Sequence, residues 1–274
     1  MKVAIAALLT FACAGLAVAD ATPFLGESLT YRLRWGAITA GTATFTAETA
    51  TEPELADEPA VSLTMAAKTT KFLDKIYKVR DTIRAVAAQD LSRTLVYKKD
   101  QQEGGEEKDL TVSFDWDKML VQRTEVEDER TKERDPLEIV EGTLDPLSLF
   151  YRIRTMELKA GDVVKMPLTD GKRFNHGTAT VVKRETIKLR GKKVAAILVE
   201  PDTGNLGGVF KKSKNAKLQI WFSDTDACIP LMFKSKVKVG SFTGELIAMN
   251  PPDGPDNDLE TLLGSSKLDV EIQD

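Results

Sequence analysis

Residues able to do chemistry are few in this chain, and they are scattered. Its 274 residues include one histidine, His176, and two cysteines, Cys13 and Cys228. A zinc centre draws on several histidine, cysteine and carboxylate ligands, which this inventory cannot supply in the usual combinations. A Ser-His-Asp triad would have to use His176, yet no Gly-x-Ser-x-Gly elbow is present. His176 lies in the polar run Arg173-Phe174-Asn175-His176-Gly177 and reads as an exposed loop residue. Paired carboxylates, the acid and base of glycoside hydrolysis, occur at Asp115/Asp117 and Asp224/Asp226. Both pairs sit in turn-like sequence, where aspartate bonds its own backbone. Gly204-Asn205-Leu206-Gly207-Gly208, followed by Lys211-Lys212-Ser213-Lys214, lacks the Gly-Lys-Ser/Thr ending of a phosphate loop and reads as a basic hairpin loop. Cys228, between Ala227 and Ile229-Pro230, reads as a small buried hydrophobe. The expectation is a protein without catalytic residues, metal or cofactor.

One carboxylate is less ordinary. In Tyr77-Lys78-Val79-Arg80-Asp81-Thr82-Ile83, Asp81 shares a face with Tyr77, Val79 and Ile83. A carboxylate facing inward needs a partner. The pattern predicts an arginine on a neighbouring strand, with a functional polar group as the other reading.

The elements that would position these residues are mostly strands. Leu29, Tyr31, Leu33 and Trp35 alternate with Thr30, Arg32 and Arg34, the period of a half-buried strand. After Gly36 the alternation resumes with Ala43, Phe45 and Ala47 facing in. Small inner residues opposite large ones suit a curved sheet. Further strands are predicted at 61–67, 77–87, 94–100, 110–114, 119–125, 163–168, 179–189, 194–200, 217–222, 231–239 and 242–249. Arg190-Gly191-Lys192 and Gly240-Ser241 read as tight hairpin turns, so the sheet should be antiparallel.

A single helix is predicted, from Asp145 to Gly161. Asp145 can cap the first turn, Pro146 is tolerated at the first helical position, and Gly161 can end the helix. Leu147, Phe150, Tyr151 and Leu158 follow helical spacing, widened by Leu149, Ile153 and Met156. So wide an apolar stripe calls for burial on a concave surface. Phe150 and Tyr151 are expected to pack on the face carrying Leu29, Tyr31, Leu33 and Trp35.

Residues 1–19 have the layout of a secretory signal peptide, a basic start and an apolar run ending in Ala17-Val18-Ala19. Cleavage there would give a periplasmic protein retaining only Cys228, with no internal disulfide. Lipid anchoring at Cys13 is disfavoured, because Phe11 is too bulky for the usual small-residue context. Residues 20–249 read as a single β-rich domain and 250–274 as a polar C-terminal tail. No later run reaches the length of a membrane span. Net charge is −4, but residues 100–145 hold 16 acids against 6 bases and residues 171–249 hold 15 bases against 6 acids. The basic half could meet an anionic partner; nucleic acid is not expected.

Gly26-Glu27-Ser28-Leu29-Thr30-Tyr31 through Trp35-Gly36-Ala37-Ile38-Thr39-Ala40-Gly41 resembles the opening of the bacterial envelope family catalogued as domain of unknown function 3108. Asp145-Pro146-Leu147-Ser148-Leu149, Trp221-Phe222-Ser223-Asp224 and Ile229-Pro230-Leu231 resemble its middle and closing motifs. The likeness spans about residues 23–249. It departs at Thr225, which separates Asp224 from Asp226. The resemblance implies an exported, β-rich protein and supplies no catalytic residues.

The expected fold is mainly β: a large curved antiparallel sheet, an incomplete barrel, packed on one α-helix. That layout is similar to lipoprotein-carrier folds of the bacterial envelope, which hold acyl chains between sheet and helices. The expected function is binding or carrying a lipid-like or amphipathic envelope ligand. Tyr31, Leu33, Trp35, Asp81, Phe150 and Tyr151 are the candidate binding residues, and a lipid or an anionic envelope polymer is the candidate partner. The alternatives are an envelope scaffold with a filled core and, less favoured, a glycan-active hydrolase.

Overall fold

The computed structural model describes residues 23–51, 58–202, 217–237 and 240–250, together with Leu259 and Leu263. Residues 1–19, read from the sequence as a signal peptide, and the run 204–214, read as a basic loop, lie outside the described residues. Before the helix come β1 (Ser28–Trp35), β2 (Ile38–Thr49), β3 (Ala60–Thr69), β4 (Val79–Ala88) and β5 (Thr94–Glu103). They continue as β6 (Glu106–Asp115), β7 (Leu120–Glu127), β8 (Arg130–Glu133) and β9 (Leu137–Glu138). Helix α1 (Pro146–Ile153) is followed by β10 (Val163–Thr169), β11 (Phe174–Leu189), β12 (Lys192–Pro201), β13 (Lys217–Ser223), β14 (Pro230–Val237) and β15 (Gly240–Asn250).

These strands form one sheet in the order β10-β11-β12-β13-β14-β15-β1-β2-β3-β4-β5-β6-β7-β8, with β9 paired to β7. Every ladder is antiparallel. The chain meanders outward from β1 to β8, crosses by way of α1 to the opposite edge, and meanders back until β15 pairs with β1. The helix is therefore the crossover between the two edges of a single sheet.

The sheet is not closed by a continuous ladder. Instead the β10–β11 turn tucks against β6 and β7. Arg123 donates to the Asp170 carbonyl, and Gly171, at φ +77°, lies so close to Val112 that a Cβ would stand 2.7 Å from a Val112 methyl carbon. Edge pairing with other chains is discouraged in two ways. All four residues of β8, Arg-Thr-Lys-Glu, are exposed, and β10 carries Pro167, which has no amide to donate.

Alternation in β1 holds for Leu29 and Tyr31, which are fully buried, and weakens at half-buried Leu33. At Trp35 it fails: that side chain is 45% exposed. Trp35 pairs with Ile38 and Phe242 at the very end of the sheet, beyond the last packed layer. A register shift between Leu33 and Arg34 precedes it. On the neighbouring strands a small residue makes room for a large one: the Phe233 ring lies directly on Gly244, where any side chain would collide with it.

The helix is half the predicted length, eight residues from Pro146 to Ile153. Its start is as expected. Asp145 Oδ1 accepts from the amides of Leu147 at 2.7 Å and Ser148 at 3.1 Å. Its end is set by bonds that compete with a further turn. The amides of Thr155 and Met156 reach back only three residues, to Arg152 and Ile153, and Gly161 N–H donates to Val181 on β11. Leu158 is buried as its spacing suggested, but from irregular chain.

Two further expectations are corrected. Residues 174–177 are strand, so exposed His176 sits on β11, opposite Pro167 of β10, and not in a loop. Gly240 already pairs with Val237, so the last hairpin turns before Gly240-Ser241. Beyond Asn250, Leu259 and Leu263 are buried in a core cluster with Leu198 and Trp221. The rest of the expected C-terminal tail lies outside the described residues.

The helix and the sheet meet through one buried ion pair. Arg154, immediately after α1, donates to both carboxylate oxygens of Glu27, at 2.6 and 2.8 Å, and to the Cys228 carbonyl at 3.1 Å. The guanidinium also lies over the rings of Phe24 and Tyr151, at 5.0 and 5.4 Å.

The Asp145 cap supports a first prediction. Its other oxygen accepts from Thr94 Oγ1 at 2.7 Å, so Asp145→Ala removes three bonds in a buried site. Urea denaturation should show a loss of about 2 to 4 kcal/mol, from the cap and the stranded donors together. Asp145→Asn, which keeps an acceptor, should cost about 1 kcal/mol.

Candidate functional site

The two faces of α1 have different surroundings. Leu147 and Tyr151 enter a core shared with Phe24, Ala47, Val61, Leu63, Ala85 and Tyr97. That half is filled. On the other side, Ile153 and Phe150 pack in a cluster with Ala179, Ile220 and Phe222, and with Pro146 and Leu149 they border a gap toward β10, β11 and β13. The gap is a cavity of about 210 Å³, closed on the sheet side by Val164, Leu168, Gly177, Ala179, Leu218 and Ile220. Its lining is apolar apart from Thr178 and Asp202. Gly177 is matched to the helix: a Cβ there would stand 3.0 Å from side-chain carbons of both Leu149 and Leu168.

Phe150 ties the crevice to the core through a run of rings. It lies 5.7 Å from Tyr151, 5.5 Å from Phe45 and 6.0 Å from Phe222, centroid to centroid. Phe45 in turn lies 5.4 Å from Tyr31, edge on. The expected contact between the helix and the β1 face is therefore made through Phe45 on β2. Leu29 and Tyr31 belong to the next core cluster.

Of the six residues singled out from the sequence, only Phe150 lines the crevice. Tyr31 is structural: its hydroxyl donates to the Pro230 carbonyl at 2.6 Å, and burial raises its pKa well above the ordinary tyrosine value. Tyr151 is fully buried against Phe24, at 4.8 Å, with its hydroxyl unpartnered. Burial pushes the pKa of that hydroxyl well above the ordinary tyrosine value, so it is a neutral phenol. Leu33 and Trp35 lie toward the far end of β1, and Trp35 stacks on Phe242 at 6.2 Å. The sheet residues of the crevice were visible only as ordinary strand alternation, Val164 and Leu168 among them. Nothing in that pattern distinguishes a residue lining a gap from one filling a core.

Asp81 lies on the concave face but has no arginine partner of the kind expected. Its Oδ1 accepts the Gln102 amide at 3.2 Å. Burial, followed by the Glu103 carboxylate beside it, pushes its carboxyl up to about 6. Arg80, the preceding residue on β4, projects from the other face and pairs with Asp74 at 2.6 Å. The acidic and basic groups of the neighbouring strands satisfy one another. Glu125 is bound by Arg123, Lys108 and Arg134 at 2.7, 3.0 and 3.2 Å. Burial works against its charge, but these three cations outweigh it and hold the carboxyl at about 2.

The remaining chemical candidates stay apart from the crevice. Asp115 is held by Lys118 in a turn, and Asp224 pairs with Arg184. Cys228 is buried, and burial pushes its thiol up to about 11. Among the described residues no three His, Cys, Asp or Glu side chains cluster as metal ligands do.

A family model described as "Protein of unknown function (DUF3108)" matches residues 30–247. The chain belongs to this family. Within the matched span, Asp145-Pro146 opens α1 and Ile229-Pro230-Leu231 leads into β14; Glu27, just before the span, is the carboxylate of the buried pair. No curated protein matches the sequence. Among solved structures, a beta-barrel-like protein of domain of unknown function DUF1849 from Brucella abortus is similar, with a TM-score of 0.50 at 10% identity. The match covers 83% of this chain and 98% of that one. The hypothetical protein CT021 from Chlamydia trachomatis aligns over 84% of this chain and 89% of its own, at 11% identity and a TM-score of 0.32. The first likeness agrees with the expected fold, a large antiparallel sheet not closed into a barrel around a single helix.

Asp81 gives a pH prediction. Its folded pKa of about 6 exceeds the roughly 3.9 of an unfolded aspartate, so the folded state binds more protons between these values. Its contribution is fully present below about pH 4 and is lost as pH rises through 6. Asp81→Asn should therefore raise the melting temperature at pH 8 and leave it unchanged at pH 4, read by thermal unfolding across that range.

Proposed function

We propose that this protein is exported to the bacterial envelope and binds the apolar part of a lipid-like ligand in the crevice between α1 and β10–β13. One observation carries the reading. The helix is fixed against one half of the sheet and leaves an apolar gap of about 210 Å³ against the other. A dry apolar cavity forfeits the dispersion contacts of its lining, and an apolar guest restores them. The volume is below the roughly 300 to 1,000 Å³ of sites that enclose a drug-sized molecule. A short acyl segment or a single ring fits that size; a whole lipid would leave its headgroup outside. Asp202, at the margin, and Thr178 are the lining groups able to meet a polar end. Residues 1–19 would supply the export signal, and no helix among the described residues is long and apolar enough to cross a membrane.

The second reading, an envelope scaffold with a filled core, draws on the packing of Tyr151 and Leu147 on the closed side of α1. The two readings separate at Leu149, which is half-buried at the crevice. Native mass spectrometry of the purified protein should show a co-purifying lipid, and a fluorescent acyl probe should bind saturably with one site. Leu149→Trp should fill the gap and weaken probe binding at least tenfold, a loss of about 1.4 kcal/mol, with little change in melting temperature. Absence of saturable uptake by the native chain, or equal uptake by the variant, would leave the scaffold reading in its place.

A further inference from the structure

The described surface carries its large exposed apolar side chains unevenly. Trp35, Ile38 and Phe242 sit where β15, β1 and β2 end, and Phe72, Ile76 and Tyr77 sit in the connection from β3 to β4. The backbone joins these places. Gly36 N–H donates to the Ser241 carbonyl and Thr70 N–H to the Ala40 carbonyl, at 3.0 and 2.9 Å. The turn after β1, the start of β15 and the β3–β4 connection are therefore neighbours along one rim of the sheet.

The β3–β4 connection is built to hold its apolar side chains outward. Arg80 clamps Asp74 through both guanidinium nitrogens, at 3.0 and 2.6 Å, and Thr69 donates to the same carboxylate. A single 3-10 turn, Leu73–Lys75, stands on that clamp and buries none of its residues. Phe72 and Ile76, on either side of the turn, are 67% and 72% exposed. Around them Lys68, Lys71, Lys75 and Lys78 are exposed as well. The one acid among them, Asp74, is taken up by Arg80. The acidic β5–β6 turn borders this surface at Lys78, whose carbonyl accepts from the Gly104 amide at 2.8 Å, and at Tyr77, whose hydroxyl donates to Glu103 at 3.3 Å.

We propose that this rim docks on the surface of an anionic lipid bilayer, with Phe72 and Ile76 entering the acyl boundary and the surrounding lysines meeting the headgroups. Charge complementarity selects this occupant. Lysine is depleted at protein–protein contacts, whereas apolar side chains interleaved with lysine are the signature of interfacial membrane binding. Trp35 and Tyr77 have the amphipathic rings that favour headgroup depth. The apolar groups are separate tips with cations between them, not a groove that a helix or a second chain could occupy. The docking stands independently of the crevice, although the two share an end of the sheet. Leu218 at the crevice aligns with Ser235, Ser235 with Phe242, and Phe242 with Trp35 across consecutive strands. A docked rim would thus set the crevice mouth toward the lipid.

Co-flotation of the protein, as purified from the cell, with phosphatidylcholine vesicles containing or lacking phosphatidylglycerol tests this. Binding should require phosphatidylglycerol and weaken with added salt. Phe72→Ser with Ile76→Ser should lower the vesicle-bound fraction about tenfold, and Lys71→Glu with Lys75→Glu at least fivefold per position, as expected for lysines near an anionic surface. All four positions are exposed, so melting temperatures and acyl-probe uptake should stay at the native values. Equal binding to neutral vesicles would overturn the proposal, as would full binding by either pair of variants. A concentration-dependent dimer in sedimentation, lost in the Phe72/Ile76 variant without any vesicle binding, would assign the rim to a second copy of the chain.

Discussion

The pair between Arg154 and Glu27 is the contact from which the rest of the architecture follows. Two opposite charges are removed from water at a large desolvation cost, which only close geometry and further bonds can offset. Here both guanidinium–carboxylate bonds are short, and the Nε position reaches the Cys228 carbonyl. Burial works against the Arg154 charge, but Glu27 outweighs it and raises the Arg154 pKa. Cys228 holds φ at +44°, a left-handed conformation uncommon outside glycine, within the turn that offers this carbonyl. Three segments far apart in the chain are fixed by one side chain: the approach to β1, the exit of α1, and the turn between β13 and β14.

This anchoring explains why a helix of only eight residues suffices. Isolated helices of that length are unstable in water, and α1 is secured at both ends by buried polar groups, Asp145 at its start and Arg154 just after its end. With both ends fixed, the side chains of Leu147 and Tyr151 are committed to the first half of the sheet. The second half cannot then close fully on Leu149 and Phe150, and the crevice is the geometric remainder. At the opposite limb, Arg123 binds Glu125 and the Asp170 carbonyl together, holding the sheet edges near each other without a ladder.

Local pattern carried much of this fold into view. The alternation of strands, the Arg190-Gly191 turn with φ of +50° and +84°, and the Asp145-Pro146 helix start are written in neighbouring residues and were legible for that reason. What escaped were the long-range terms. No local pattern marks Arg154, because its partner lies 127 positions away. The expected helix runs to Gly161 because the apolar stripe continues to Leu158, which the chain buries without a helix. Trp35 matched the inward period of β1, but period does not say where the packed layer ends. Asp81 was legible as an inward carboxylate, whereas the acidic neighbour that raises its pKa is placed by the β4–β5 register. For the crevice, Phe150 and Leu149 were within the apolar stripe, and only the three-dimensional offset of α1 separates lining from filling.

The central claim, that the Glu27–Arg154 pair positions α1 against the sheet, is tested most directly by a double-mutant cycle in chemical denaturation. Glu27→Gln and Arg154→Met should each cost about 3 to 5 kcal/mol, because each leaves a buried charge without its partner. Together they should cost well below the sum of the two, since the stranded charge is then absent. The melting of near-ultraviolet signals from Tyr31 and Tyr151 should track this loss. Single changes worth under about 1 kcal/mol, adding without coupling, would contradict the account and leave the helix held by its apolar face alone.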